Sequence, residues 1–351
     1  MESLYESYTN ALCREITGQG VLFSGHEVDT IYIGGGTPTL LPLPLLLQVI
    51  TAVQTNFYVT PDAEVSMEAN PGTVDGGILA DLRAHGINRM SFGVQSFTDI
   101  LLQEAGRIHS AEEGIAAVRA AQQAGFSNIN IDLMYGLPLQ TLKNFQDSLR
   151  QAVELAVPHI SVYGLKVEEG TPFAHRLAAE RLLLPAEEEE EAMYEEMVRL
   201  LPECGYKRYE ISNYAAQGQL CRHNLKYWNY SSYLGLGAAA HSFLNRERLA
   251  NTRNVRTYIE QINSGGSPVE YQEKPGVAEQ MAEFCFLGLR TAAGISYEAF
   301  YQYFEKQFPQ HFSRQVAELA AKNLIDVGKE SVKLTPLGMK YGNLAFQAFL
   351  P

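Results

Sequence analysis

The chain has 351 residues, 46% hydrophobic and 19% charged, a composition that excludes disorder, collagen-like structure and coiled coil and is sufficient for a large core. Forty acidic residues against 27 lysines and arginines give a formal charge of −13, which excludes a general electrostatic affinity for nucleic acid or anionic lipid. No apolar run reaches the length of a membrane span, and the N-terminus, MESLYESYTNALCREI, has acids where a signal peptide has its basic start, so a cytoplasmic location is expected.

In chain order, the first two-thirds repeats one theme: a β-rich run, a polar turn, a helical stretch. The runs are TIYIGGG (30–36), AEVSMEANPG (63–72), INRMSFGVQS (87–96), NINIDLMYG (128–136) and HISVYGLKV (159–167), with helix-like segments near 43–56, 73–85, 110–125 and 141–155. Strands alternating with helices pair in parallel through right-handed crossovers, so five units predict an α/β fold, an open or partial (β/α) barrel. Along these strands one face is apolar (Met90, Phe92 and Val94; Ile129, Ile131 and Leu133) and the other polar (Ser66, Glu68 and Asn70; Asn130 and Asp132). A polar-lined interior is therefore expected, with chemistry at the carboxyl ends of the strands.

From Pro185 the pattern changes. Residues 185–203 read as an acidic helix with proline in its first turn and Met193, Met197, Leu200 and Leu201 as its buried stripe. Residues 205–260 are rich in tyrosine and less periodic. From about 275 helices alternate with a terminal hairpin at 324–338, and seven acids there balance seven bases, which suits packing or protein contact rather than DNA binding. The expected divisions are 1–184 for the partial barrel, 185–274 for its completion, and 275–351 for a small helical domain with a winged end.

Several groups could carry chemistry. Gly34-Gly35-Gly36-Thr37-Pro38 follows a strand, and its backbone could either approach a ligand closely or simply form a tight turn. Glu68 and Asn70 lie two apart and share the inner face; Gln95, Arg107 and Asp132 stand at or just beyond further strand ends. Two acids, an amide, a guanidinium and a donor-rich turn suit a zwitterionic, nucleoside-like ligand, although each alone is also an ordinary buried polar group. CRHNLKYWNY (221–230) places His223, Asn224, Tyr227 and Trp228, the sole tryptophan, within six residues. Imidazole ligates haem iron and aromatics cover a macrocycle, but a histidine among aromatics is equally a packing residue. His241, after a run of small residues, is a second candidate ligand.

The series GGGTPTLL, SMEANPGT, RMSFGVQSF, GRIHS, NIDLMYGLP, ISVYGL and HNLKYW resembles the radical S-adenosylmethionine (SAM) family of oxygen-independent coproporphyrinogen III oxidase-like proteins, and within it the HemW-type haem chaperones. The resemblance covers nearly the whole chain. It implies a radical SAM-type partial barrel in which Gly35, Gly36, Thr37, Glu68, Gln95, Arg107 and Asp132 contact S-adenosylmethionine. It also implies that His223, Asn224, Tyr227 and Trp228 bind haem, with His223 as the iron ligand.

The implied partners are haem and a haem-acceptor protein, with peripheral contact with membrane-bound haem proteins and a homodimer as further options. The family's first strand and its CxxxCxxC motif, whose thiolates hold a [4Fe-4S] cluster, have no counterpart here. Cys13, Cys204, Cys221 and Cys285 are all more than four residues apart. Binding and transfer of haem, rather than radical catalysis, is the expected activity; oxidation of coproporphyrinogen III is the alternative.

Overall fold

A computed structural model describes residues 4–216 and 218–350. Its centre is a seven-stranded sheet built from β1 (Glu27–Ile33), β2 (Tyr58–Ala69), β3 (Arg89–Gln95), β4 (Asn128–Tyr135), β5 (His159–Gly164), β6 (Lys207–Arg208) and β7 (Asn213–Ala215), in the order β1-β2-β3-β4-β5-β7-β6. β1 to β5 are parallel neighbours, and β7 and β6 close the far edge antiparallel. The expected α/β half-barrel is what forms, and β1 is its other edge strand.

The connecting helices are α1 (Tyr5–Leu22), α2 (Leu43–Asn56), α3 (Gly76–Ala84), α4 (Asp99–Glu104), α5 (Ala111–Gln123), α6 (Leu142–Glu154), α7 (Pro172–Ala178) and α8 (Glu187–Glu203). Local chemistry sets their starts. Asp75 caps α3, while Ser110 with Glu113 and Thr141 with Asn144 form reciprocal caps on α5 and α6. α8 begins two residues beyond Pro185, with Ala186 at its cap, so that proline precedes the helix rather than entering its first turn. The stripe of α8 is Met193, Met197 and Leu201, all buried; Leu200 packs only partly.

The apolar strand faces meet the helices. Met67, Met90, Phe92, Ile131 and Leu133 are wholly buried against Leu79, Leu82, Val118, Phe145 and Leu149. The opposite face is polar, as the alternation predicts, but it is not an open channel. Ser66, Arg89, Ser91, Asn130, His159 and Ser161 are each at most 3% exposed. Ser91, Asn130, His159 and Ser161 bond to one another, while Ser66 Oγ and Arg89 Nε find no partner among the described residues. His159 Nδ1 lies 2.5 Å from Asn130 Oδ1 and its Nε2 2.8 Å from the Tyr209 hydroxyl, and Asn130 also receives Ser161 Oγ at 3.1 Å.

Burial pushes the His159 imidazole well below the ordinary histidine range, and nearby Arg89 adds to the shift. The neutral ring thus belongs to the folded state, and the unfolded chain binds a proton below about pH 6.5 that the folded one does not. Stability should be complete above that pH and fall as the pH drops, by up to about 1.4 kcal/mol per pH unit for this one proton. Urea midpoints between pH 7.5 and 5 should fall more steeply in the wild type than in His159→Gln; parallel slopes would remove His159 from the account.

The tyrosine-rich stretch hides more order than its periodicity shows. It holds the helix α9 (Arg222–Trp228) and two strands, His241–Leu244 and Glu247–Asn251, which Val269–Glu273 just beyond it completes as an antiparallel meander. Glu15 of α1 ties this region down: buried, it accepts from Gly237 N at 2.7 Å, Tyr258 Oη at 2.6 Å and Asn251 Nδ2 at 2.9 Å. The C-terminal helices enclose a second core of Phe284, Phe300, Phe308 and Phe312. The hairpin Ile325–Val327 with Ser331–Leu334 gains a third strand, Ile295–Ser296, too short to register as alternation.

Candidate functional site

The carboxyl ends of β1 to β4 bring together the residues of the first constellation. Beyond β1 the chain enters an exposed turn at Gly34, Gly35 and Gly36. A Cβ on Gly34 would sit 2.6 Å from the Tyr32 ring and 3.0 Å from the Glu68 carboxyl carbon, so only glycine lets the turn cross these two side chains. Gly35 has φ +116 and donates its N–H to Glu68 Oε2 at 3.2 Å. Gly36 and Thr37 continue the turn; Thr37 is half-buried and its carbonyl accepts Leu40 N at 3.0 Å.

Glu68, half-buried on β2, takes its second hydrogen bond from the Tyr32 hydroxyl, 2.7 Å from Oε1. Burial raises its carboxyl above the usual range; the Tyr32 bond opposes that, and nearby Asp132 raises it further. Asp132 on β4 is likewise raised by burial, against hydrogen bonds from Asn130 and Ser161. A carboxylate whose charge is disfavoured both by burial and by a neighbouring acid gains from a cationic ligand.

Arg107, from the loop after α4, donates through Nη2 to Asn70 Oδ1 and to Gly93 O, the latter at 2.8 Å. Its buried Nε has no partner among the described residues, and burial lowers the pKa of the guanidinium. Gln95 closes β3 with φ +68, a left-handed conformation rare outside glycine and common at functional sites. A Cβ on Gly93 would meet Gln95 Nε2 at 3.1 Å and Arg107 Nη2 at 3.2 Å. Glu68, Asn70, Gln95, Arg107 and the glycine turn thus cluster at one sheet end. Asp132 stands one layer deeper, its oxygens held by Asn130 Nδ2 at 2.7 Å and Ser91 Oγ at 3.3 Å.

The second constellation does not stand apart from the first. α9 lies against the inner face of β1 and β2. Glu64 of β2, 5% exposed, accepts from the backbone N–H groups of Arg222 (3.1 Å) and His223 (3.0 Å) and from the Cys221 thiol (3.6 Å), capping the helix from across the sheet. Lys226 Nζ meets Asp29 at 2.6 Å on the flank.

His223 points into the half-barrel. Its Nδ1 is 2.9 Å from Thr30 Oγ1, its Nε2 2.9 Å from the Tyr227 hydroxyl, and its ring stacks on Tyr32 with centroids 5.2 Å apart. Burial pushes its pKa down to about 4, so the ring is neutral at physiological pH. Helical spacing puts Tyr227 on the same face and sends Asn224 and Trp228 elsewhere. Trp228 faces the C-terminal region, where the Arg290 guanidinium lies 5.4 Å from its ring and 4.7 Å from Phe346. His241 is exposed, and none of the contacts that seat His223 involves it.

The sequence reading passed over Tyr32, Glu64 and Arg89. Glu64 was within reach, because it continues the 64, 66, 68 alternation. Tyr32 reads as a core aromatic, and Arg89 as the polar start of a strand. Arg89 is 2% exposed, and its charge lies near Glu64 and Cys221.

An unpartnered buried guanidinium nitrogen, two acids and an open glycine backbone fit the carboxylate, cationic centre and polar groups of S-adenosylmethionine. An iron–sulfur cluster does not fit the described residues. Cys13 is half-buried on α1, Cys204 exposed, Cys221 beside Glu64 and Cys285 in the C-terminal core, and no three ligating side chains converge among the described residues.

Comparison with known proteins places the chain in a family. The radical SAM superfamily model matches residues 12–152, and the HemN C-terminal domain model matches 277–341. The haem chaperone HemW of Bacillus subtilis (strain 168) is 38% identical over 98% of this chain and 91% of its own length; that of Lactococcus lactis is 33% identical over 98% and 89%. The structure of coproporphyrinogen III oxidase (HemN) from Escherichia coli superimposes with a TM-score of 0.86 at 25% identity, covering 99% of this chain and 84% of that one. With relatives this similar over almost their full length, the chain belongs to the HemW family of the radical SAM superfamily.

Proposed function

We propose that this chain is a haem chaperone: it takes up haem as cargo and passes it to an acceptor protein. The observation that carries the reading is the near full-length similarity to HemW proteins, across both matched regions. The site supplies a rationale. His223 is neutral, so a ring lone pair is available to iron without first losing a proton. Both nitrogens are engaged by hydroxyls, and giving up one such hydrogen bond costs only about 1 kcal/mol. A ligand held by exchangeable hydroxyls can bind and release, as transfer requires.

S-adenosylmethionine, when bound, would supply a sulfonium-bearing nucleoside. In this chain Arg107 would hold its carboxylate, Glu68 its ammonium, and the Gly34–Gly36 turn would bring backbone donors close. Gly93→Ala should push Gln95 and Arg107 aside and lower affinity for S-adenosylmethionine about tenfold by calorimetry, with unchanged thermal stability; unchanged affinity would take Arg107 out of the site.

The purified chain should bind haem near one-to-one, with a Soret band in a spectrophotometric titration; no saturable Soret change would end the chaperone reading. The second reading, oxidation of coproporphyrinogen, is favoured by the likeness to HemN. It needs three thiolates that the chain's dispersed cysteines do not bring together. No protoporphyrinogen should form from coproporphyrinogen; its formation would favour the oxidase.

A further inference from the structure

The two constellations meet at one side chain. Tyr32, on β1, stacks its ring on His223 (5.2 Å, interplanar angle 26°) and donates its hydroxyl to Glu68 Oε1 at 2.7 Å. The other oxygen of Glu68 holds Gly35 N–H at the glycine turn. An unbroken run of contacts therefore leads from the imidazole to the carboxylate that faces the nucleoside site, through one phenol. The run is tightly bounded: no side chain larger than glycine fits at position 34, between the Tyr32 ring and the Glu68 carboxyl.

We propose that Tyr32 is a positioning residue that couples the two sites, so that haem bound at His223 and a nucleoside bound at Glu68 each strengthen the binding of the other. This rests on the haem-binding reading above. The geometry sets the sign. The Nδ1 side of His223 faces Thr30 and its Nε2 side faces Tyr227, while Tyr32 covers the flat of the ring.

A porphyrin approaching Nε2 displaces the Tyr227 hydroxyl and leaves the stack on Tyr32 in place. Iron then fixes the imidazole, the imidazole fixes the phenol, and the phenol holds the Glu68 carboxylate in the orientation that receives a cation. The ordering is done once and serves both ligands, which is positive cooperativity without a large conformational change. By linkage the effect is reciprocal.

The test measures the affinity of the full chain for S-adenosylmethionine by calorimetry, with and without one equivalent of haem, in the wild type and in Tyr32→Phe. Haem should raise the wild-type affinity at least about fivefold, the lower end of ordinary coupling factors. Tyr32→Phe keeps the stack and loses only the hydroxyl. It should keep its Soret band and still bind S-adenosylmethionine, but the haem effect should shrink to less than about twofold. A purely structural role for Tyr32 would change the separate affinities and leave their ratio alone.

Equal or weaker wild-type affinity with haem, or coupling that survives in Tyr32→Phe, overturns the proposal. No S-adenosylmethionine binding in either state overturns it together with the cofactor assignment. Loss of the Soret band in the wild type is a different failure, that of the haem reading itself.

Discussion

Replacing His223 by alanine should weaken haem binding at least about tenfold, equivalent to about 1.4 kcal/mol, and shift or abolish the Soret maximum. The expectation follows from the seat of the ring. His223 is fixed by a hydroxyl on each nitrogen and by Tyr32 on one face, and burial keeps it unprotonated. A ligand so oriented loses little freedom when it takes up a metal, so most of its bond strength appears as affinity. His223→Ala removes the donor and leaves Thr30 and Tyr227 facing a gap roomy enough for water, so the helix itself should survive. A Soret band unchanged in position and in titration midpoint would sink the assignment and make the exposed His241 the next ring to replace.

Glu64→Ala should do wider damage, costing about 3–5 kcal/mol of unfolding free energy. One buried carboxylate holds two helix N–H groups and a thiol, and it offsets the charge of buried Arg89. Its removal leaves those donors unpaired and takes one of the counter-charges, besides Glu68 and Asp132, from the guanidinium. The flanking pair between Lys226 and Asp29 is partly exposed and worth about 0–1 kcal/mol, so it cannot hold α9 alone. Haem binding should fall with it, because the cap sets the position of His223 in the first turn. Glu64→Gln keeps an acceptor but loses the charge and should lie between the two. Urea unfolding within about 1 kcal/mol of the wild type for Glu64→Ala would show that other contacts dock the helix.

Much of this architecture could be read from the residues. The switch between period 2 and helical spacing located five parallel strands, and the helix expected at 43–56 is the one observed, Leu43–Asn56. Glu68 and Gln95 at strand ends, and Arg107 in the loop after α4, were legible because polar groups near the carboxyl ends of parallel strands are where such folds hold ligands. The meander after α9 was not, since its strands have five residues or fewer, too short to show alternation. Nor was the meeting of the two constellations. His223 and Tyr32 are 191 positions apart, and nothing local in either segment specifies the stack. The interior was legible as polar-lined and no further, because alternation reports which face is polar, and not what fills it. Here Asn130, His159 and Tyr209 fill it with one another.

The seven residues of α9 face three directions at once: the first turn to Glu64, the 223 and 227 positions to the half-barrel, and Trp228 to Arg290. One added or deleted residue inside those two turns would rotate everything after it by about 100°. The indole would swing off its guanidinium and Tyr227 off the imidazole in the same event. Point changes here can be compensated singly, but a change of length cannot, so related chains should vary in letters across this segment while keeping its count fixed.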